Sequence, residues 1–211
     1  MKIAVHRIVT GPLQENTYIV QKERNALVID PGADSDKIIQ KIDELDVIPR
    51  AVLLTHTHFD HIGALDDIRN AYHIPAYVNQ LEEEWIVDPN LNLSSTLNPN
   101  GENIICEPAE FSLDVNFCTR RLGDIEFQVL PTPGHSVGSM SFYFDNCLFA
   151  GDVLFHHSVG STQFPTGDMT QLEQTIRQQL YTLPDDTIVY PGHGQKTTIG
   201  EEKKHNPYIK A

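Results

Sequence analysis

Cysteine is scarce in this chain: three among 211 residues, Cys106, Cys118 and Cys147, with no paired short spacing. Their scatter and odd number exclude a disulfide scaffold and point to reduced thiols in a cytoplasmic protein. Long apolar runs are missing as well. No stretch approaches the ~18 residues of a membrane span. The start, Met1-Lys2-Ile3-Ala4-Val5-His6, has no small-residue cleavage site, so no secretory leader is expected. Basic residues are few, 15 Lys and Arg against 29 Asp and Glu, for a formal charge of −14. Nucleic acids and anionic membranes bind positive surfaces that displace counterions, so neither partner is expected and a small-molecule substrate is. Nothing in the residues bears on oligomeric state.

What remains is ordinary globular material, 40% hydrophobic and 21% charged, and a length that suits one domain over residues 1–211. Strands are expected at 3–9, 17–20 and 26–29, with a turn at Lys22-Glu23-Arg24-Asn25. Ser35 is placed to cap a helix whose Ile38, Ile39, Ile42 and Leu45 share a face, and Ala51-Val52-Leu53-Leu54 reads as a strand buried on both sides. A helix is expected at 64–72. Asn79 with Glu82 has the spacing of a capping box for a helix at 80–87, and Thr170 with Glu173 for a helix carrying Leu172, Ile176 and Leu180. Residues 88–101 read as a loop. Strands follow at 125–130, 139–144, 147–150 and 187–190, then a short helix after Ile199-Gly200. Periodicity thus yields a mixed α/β (α+β) protein with no internal repeat.

The chemistry is concentrated after the buried strand, in Thr55-His56-Thr57-His58-Phe59-Asp60-His61. Histidines two apart on an extended segment point the same way, so His56 and His58 can grip one ion. Asp60 and His61 follow where the chain turns, and can face a neighbouring ion. Three later segments repeat the grammar of strand, tight turn, ligand-type side chain: Pro133-Gly134-His135, Ala150-Gly151-Asp152 and Pro191-Gly192-His193. The glycines let the backbone turn sharply there.

This set of motifs resembles the metallo-β-lactamase superfamily, and the segment from His56 to His193 carries all of its metal-binding motifs in order. The resemblance implies a four-layer αββα sandwich with metals at one edge. It further implies that His56, His58 and His135 hold a first metal, that Asp60, His61 and His193 hold a second, and that Asp152 bridges them. Two divalent ions are expected, zinc first, with iron or manganese suited to the same imidazole and carboxylate donors. No cysteine occupies a ligand position, unlike the cysteine-containing β-lactamases, so antibiotic hydrolysis is not the expected reaction.

A water shared by two cations loses a proton near neutral pH, and Asp60 is placed to orient the resulting hydroxide as the catalytic carboxylate. Within the superfamily the chain is most similar to short glyoxalase II-like hydrolases, through Gly151-Asp152-Val153-Leu154-Phe155 and Gly160-Ser161-Thr162. Thioester hydrolysis is the activity this implies. With so few residues after His193, the glutathione-binding helical domain of the longer members is not expected. Ser161 replaces their usual basic residue and Gln163 their tyrosine, which argues against glutathione itself. The alternative is a persulfide dioxygenase with one iron on the same scaffold. Phe155, Ser161 and Phe164 are candidate substrate contacts, His156 and His157 candidate cleft residues, and Trp85 a core or lid residue.

Overall fold

The computed structural model describes residues 2–114, 116 and 118–210, so Met1, used in reading the N-terminus, lies outside them. The chain opens with a meander of β1 (Ala4–Thr10), β2 (Glu15–Lys22) and β3 (Asn25–Ile29), then α1 (Ser35–Glu44) and β4 (Ile48–Leu53). The helices α2 (Phe59–Ile62) and α3 (Leu65–Tyr72) lead to β5 (Ala76–Asn79), α4 (Ser94–Leu97) and β6 (Phe111–Leu113). The second half runs β7 (Cys118–Leu122), β8 (Ile125–Pro131), β9 (Met140–Phe144), β10 (Cys147–Gly151), β11 (Leu154–Phe155) and β12 (Ser158–Val159). It closes with α5 (Met169–Gln178), β13 (Ile188–Pro191), β14 (Thr197–Thr198) and α6 (Ile199–His205). One six-stranded sheet has the order β1-β2-β3-β4-β5-β6, the other β14-β13-β10-β9-β8-β7.

Strand alternation distributes the core into three layers. Successive side chains point to opposite faces of a strand. Accordingly Leu27, Ile29, Ala51 and Leu53 meet Phe127, Val129, Phe142 and Phe149 between the sheets. Their neighbours Ala26, Val28, Val52 and Leu54 pack outward on Ile38 and Ile42 of α1 and Leu65 and Ile68 of α3. On the far side Leu148, Ala150 and Val189 meet Leu172 and Ile176 of α5 and Ile199 of α6. Helix, sheet, sheet, helix is the expected four-layer sandwich. Each fully buried Leu or Ile contributes roughly 1.5–3 kcal/mol to holding these layers together. No helix among the described residues is long and apolar enough to cross a membrane.

The direction of the strands positions the site. β10 runs parallel to β13 and antiparallel to β9, which in turn runs antiparallel to β8. The carboxyl ends of β8, β10 and β13 therefore share one edge, and β3 and β4, also parallel, end there in the other sheet.

Several local expectations give way to other contacts. Ser35 does not cap α1; Asp34 occupies the N-cap position in the left-handed region (φ 52°) without a side-chain cap hydrogen bond, its carboxylate accepting instead from Gly11 N and Lys37 Nζ. Helix α5 is capped by Asp168, which accepts from Gln171 N, rather than by Thr170. No helix spans 80–87: a single 3-10 turn at Trp85–Val87 stands there, because the Glu82 carboxylate is turned into the protein. The 88–101 loop contains the one-turn α4. Strands β5, β6, β7, β11, β12 and β14 have no counterpart among the sequence expectations, and the last three are only two residues long. β6 and β7 are edge strands of three and five residues, and β7 is largely exposed, so neither carries a clean apolar alternation.

Candidate metal centre

Seven side chains from four chain segments converge at the shared edge. His56 and His58 follow β4, Asp60 and His61 begin and turn with α2, and His135, Asp152 and His193 follow β8, β10 and β13. One donor atom each from His56, His58 and His135 lies within 4.8 Å of the others, and the same holds for Asp60, His61 and His193. His135 Nε2 stands 3.0 Å from His58 Nδ1, and His193 Nε2 stands 3.2 Å from Asp60 Oδ2. Asp152 sits between the two groups: Oδ1 is 3.5 Å from His61 Nε2, and Oδ2 is 3.5 Å from His193 Nε2 and 3.8 Å from His135 Nε2. All seven sequence-predicted donors are therefore together.

The electrostatics of these groups suit cations. Buried His56 Nε2, His61 Nε2 and Asp152 Oδ1 have no hydrogen-bond partner among the described residues. Unpaired buried polar atoms are costly, and lone pairs aimed at a common point are satisfied by a metal ion. Burial, with His61, His58 and His135 nearby, holds the His56 imidazole well below its usual pKa. Burial and the adjacent His135 push His58 down to about 3, so its ring is neutral and one ring nitrogen has a lone pair to donate to a metal. In the other half burial opposes charge on His61, but Asp152, Asp60 and the hydrogen bond to Asp30 outweigh it and raise its pKa. His193 is raised in the same way by Asp152 and Asp60. That carboxylate-rich half draws positive charge to itself. Imidazole and carboxylate donors in this number fit divalent zinc, iron or manganese.

A surrounding shell orients the rings. Thr55 Oγ1 lies 3.1 Å from His56 Nδ1, His135 Nδ1 donates to Ser161 O (2.6 Å), and His193 Nδ1 donates to Leu13 O (3.2 Å). Asp30 accepts from Thr55 N and Oγ1 and from His61 Nδ1. Asn16 ties β2 to the last loop through Gly192 O, Pro191 O and Gly194 O. Gly192 must lack a side chain, since a Cβ there would strike Asp152 Oδ1 and His61 Cε1.

Glu82 is the residue that sequence reasoning placed wrongly. Fully buried, it accepts from Thr57 N (2.9 Å) and Thr57 Oγ1 (3.0 Å) with one oxygen and from Gly138 N (2.7 Å) with the other. It thereby clamps the His56–His58 loop to the loop that carries His135. Burial pushes its carboxyl above the usual range, against hydrogen bonds that favour the charged form. Three consecutive glutamates at 82–84 give no sign of which turns inward. Asp30 carries no sequence signal for a related reason, since one buried carboxylate at a strand end forms no motif.

The cleft over the donors, about 310 Å³, is walled by Leu13, Phe59, Leu93, Leu97 and Phe164. Of the three candidate substrate contacts, Phe164 lines it, its ring 5.7 Å from that of His58. Phe155 rests on His193 at 6.1 Å. Ser161 supports His135 through its backbone carbonyl. His156 and His157 are not among the lining residues; they lie beside Glu201. Trp85 is buried and stacks over His58 at 6.2 Å, a core residue as expected.

Residues 10–193 match the family model described as Metallo-beta-lactamase superfamily. The chain is 32% identical to hydroxyacylglutathione hydrolase GloC of Haemophilus influenzae, over 95% of each protein. Among solved structures, BLEG-1, described as a B3 metallo-beta-lactamase, superposes with a TM-score of 0.95 at 42% identity, covering 99% of this chain and all of that one. TTHA1623 in a di-iron-bound form gives 0.84 at 35% identity, covering 97% of this chain and all of its own.

Proposed function

We propose, from the premise that this chain belongs to the metallo-beta-lactamase superfamily and is one of its hydrolases, that it hydrolyses a small thioester with two divalent ions. The observation that carries this reading is the pair of donor triads with Asp152 between them. His56, His58 and His135 would hold the first ion, Asp60, His61 and His193 the second, with Asp152 placed to serve both. Zinc suits the donors best, and the di-iron form of TTHA1623 keeps iron in view. When bound, the ions supply Lewis acidity and lower the pKa of water to near neutrality.

The protein's own groups do the rest. Asp60 Oδ2, at the cleft floor, orients the nucleophilic water and takes up its proton. Leu13, Leu93, Leu97 and Phe164 shed bulk water from the reacting bond and receive an apolar acyl or thiol portion. No Lys or Arg among the described residues lines this cleft, which disfavours a strongly anionic substrate. A thiolate leaving group suits such a site, since a thiol pKa of ~8.5 needs little help from a protein acid.

BLEG-1 supports a second reading, hydrolysis of a β-lactam amide on the same donor set, because its described class is reached at 42% identity over the whole chain. The deciding experiment is elemental analysis of purified protein with a panel of thioester, lactone, phosphodiester and β-lactam substrates. Two metals per chain and thioester turnover support the proposal. One iron with oxygen uptake on a persulfide replaces it with a dioxygenase, and turnover of the β-lactam alone replaces it with the second reading.

A further inference from the structure

We propose a second metal site, outside the catalytic cleft, in which His156, His157 and Glu201 bind zinc or a similar borderline divalent cation and staple a hairpin to the C-terminal helix. Strands β11 and β12 pair Leu154 with Val159 and Phe155 with Ser158, so His156 and His157 are the two residues of the turn. His157 adopts φ 55°, a conformation in which glycine or asparagine is the usual occupant. The turn thereby stacks the two rings, with centroids 3.9 Å apart and planes at 23°. A ring nitrogen of each and a Glu201 carboxylate oxygen lie within 4.8 Å of one another.

The cluster is held from below. His157 N donates to Glu202 Oε2 at 3.0 Å, and Glu202 is itself fully buried and fixed by Thr197 Oγ1 and Asn206 Nδ2. Glu201, its neighbour on α6, meets His157 Nε2 at 2.8 Å. Gln195 Nε2 donates to His156 Nδ1 at 3.0 Å, which holds the ring and marks Nδ1 as the lone-pair nitrogen that an ion would take over. The His205 ring stands 6.0 Å from that of His157. His157 and Glu201 side chains are each 40% exposed, so an ion can reach them from solvent. Two imidazoles and a carboxylate are zinc donors, with coordination positions left for water. Phe155, the residue before the turn, rests on His193, so closing this staple steadies one wall of the main centre.

The test uses the protein with its principal ions in place. ZnCl2 is added under equilibrium dialysis, with the imidazole NMR signals and the thermal midpoint followed in parallel. Wild type is expected to take up one equivalent beyond its principal ions, shift the His156 and His157 ring signals, and melt at higher temperature. Glu201→Gln and His157→Asn, which keep side-chain size and turn preference, are expected to bind that equivalent at least about tenfold more weakly and to lose the added thermal shift. Their principal metal content should match wild type. An extra equivalent absent from wild type, or retained undiminished in both variants, overturns the proposal.

Discussion

His61 is held in place by Asp30: its Nδ1 lies 3.0 Å from Asp30 Oδ2, with both residues buried. The same carboxylate accepts from Thr55 N and Oγ1, so it fixes both the start and the end of the histidine loop. Asparagine at this position offers one acceptor oxygen and turns an NH2 toward donors. Asp30→Asn is therefore expected to cost about 1–3 kcal/mol of stability and to weaken metal binding by about 10–100-fold. Denaturant melts and metal titration measure the two effects. Unchanged metal affinity would mean that Asp30 only braces the fold.

The ligand assignment predicts that His58→Ala lowers hydrolysis by at least about a hundredfold and reduces bound metal while the far-ultraviolet circular dichroism stays that of wild type. His58 is buried but sits at the cleft and not in any of the three apolar cores, so its loss spares the packing. Asp60→Asn should lower kcat far more than it lowers stability, because Asp60 lies at the cleft floor and braces neither sheet. Wild-type turnover in either variant contradicts the assignment.

How much of this was legible beforehand follows from how each residue does its work. The seven donors are read easily because chemistry demands their type and the strand ends supply their spacing. The sandwich is legible only through the family resemblance those motifs carry. Periodicity stops at a mixed α/β protein, because Ala26-Leu27-Val28-Ile29 is apolar throughout and its division between two cores appears only in the packed layers. Glu82 and Asp30 are not legible. Their role is to accept hydrogen bonds from groups 25 or more residues away, and that partnership exists only once the layers have packed. Asn79 and Glu82 also show how a local signal fails: their spacing fits a capping box, but three donors within the protein hold the carboxylate instead.

Cys106 is expected to be the slowest of the three thiols to alkylate in the native protein. Burial pushes its pKa up to about 12, and its Sγ donates to Ile62 O at 3.4 Å. At pH 8 the thiolate is then only about one part in ten thousand, and the thiolate is the reactive form. Raising the pH toward 10 should increase the rate about tenfold per unit as long as the fold survives. Iodoacetamide labelling with peptide mass mapping follows it. Modification at the rate of half-buried Cys118 would show that the segment around Cys106 opens readily.

On the proposed thioester activity, Ser161 bears on the choice of substrate. It is exposed, and its carbonyl accepts from Nδ1 of His135, a residue that lines the cleft. A basic residue here would place a cation beside an otherwise apolar and acidic cleft and attract an anionic thioester such as S-lactoylglutathione. The wild-type protein is accordingly expected to turn that compound over with kcat/KM of about 10⁴ M⁻¹s⁻¹ or less, at the low end of enzymatic efficiencies. Ser161→Arg should raise the value about tenfold, mainly through KM, since the new charge contacts a remote part of the substrate and leaves the reacting bond alone. The gain should shrink as salt is added, because the contact is solvent-exposed. The backbone carbonyl that supports His135 survives the change, so turnover of a neutral thioester should stay constant. Wild-type efficiency near 10⁶ M⁻¹s⁻¹ on S-lactoylglutathione would instead mean that its carboxylates are recognised elsewhere.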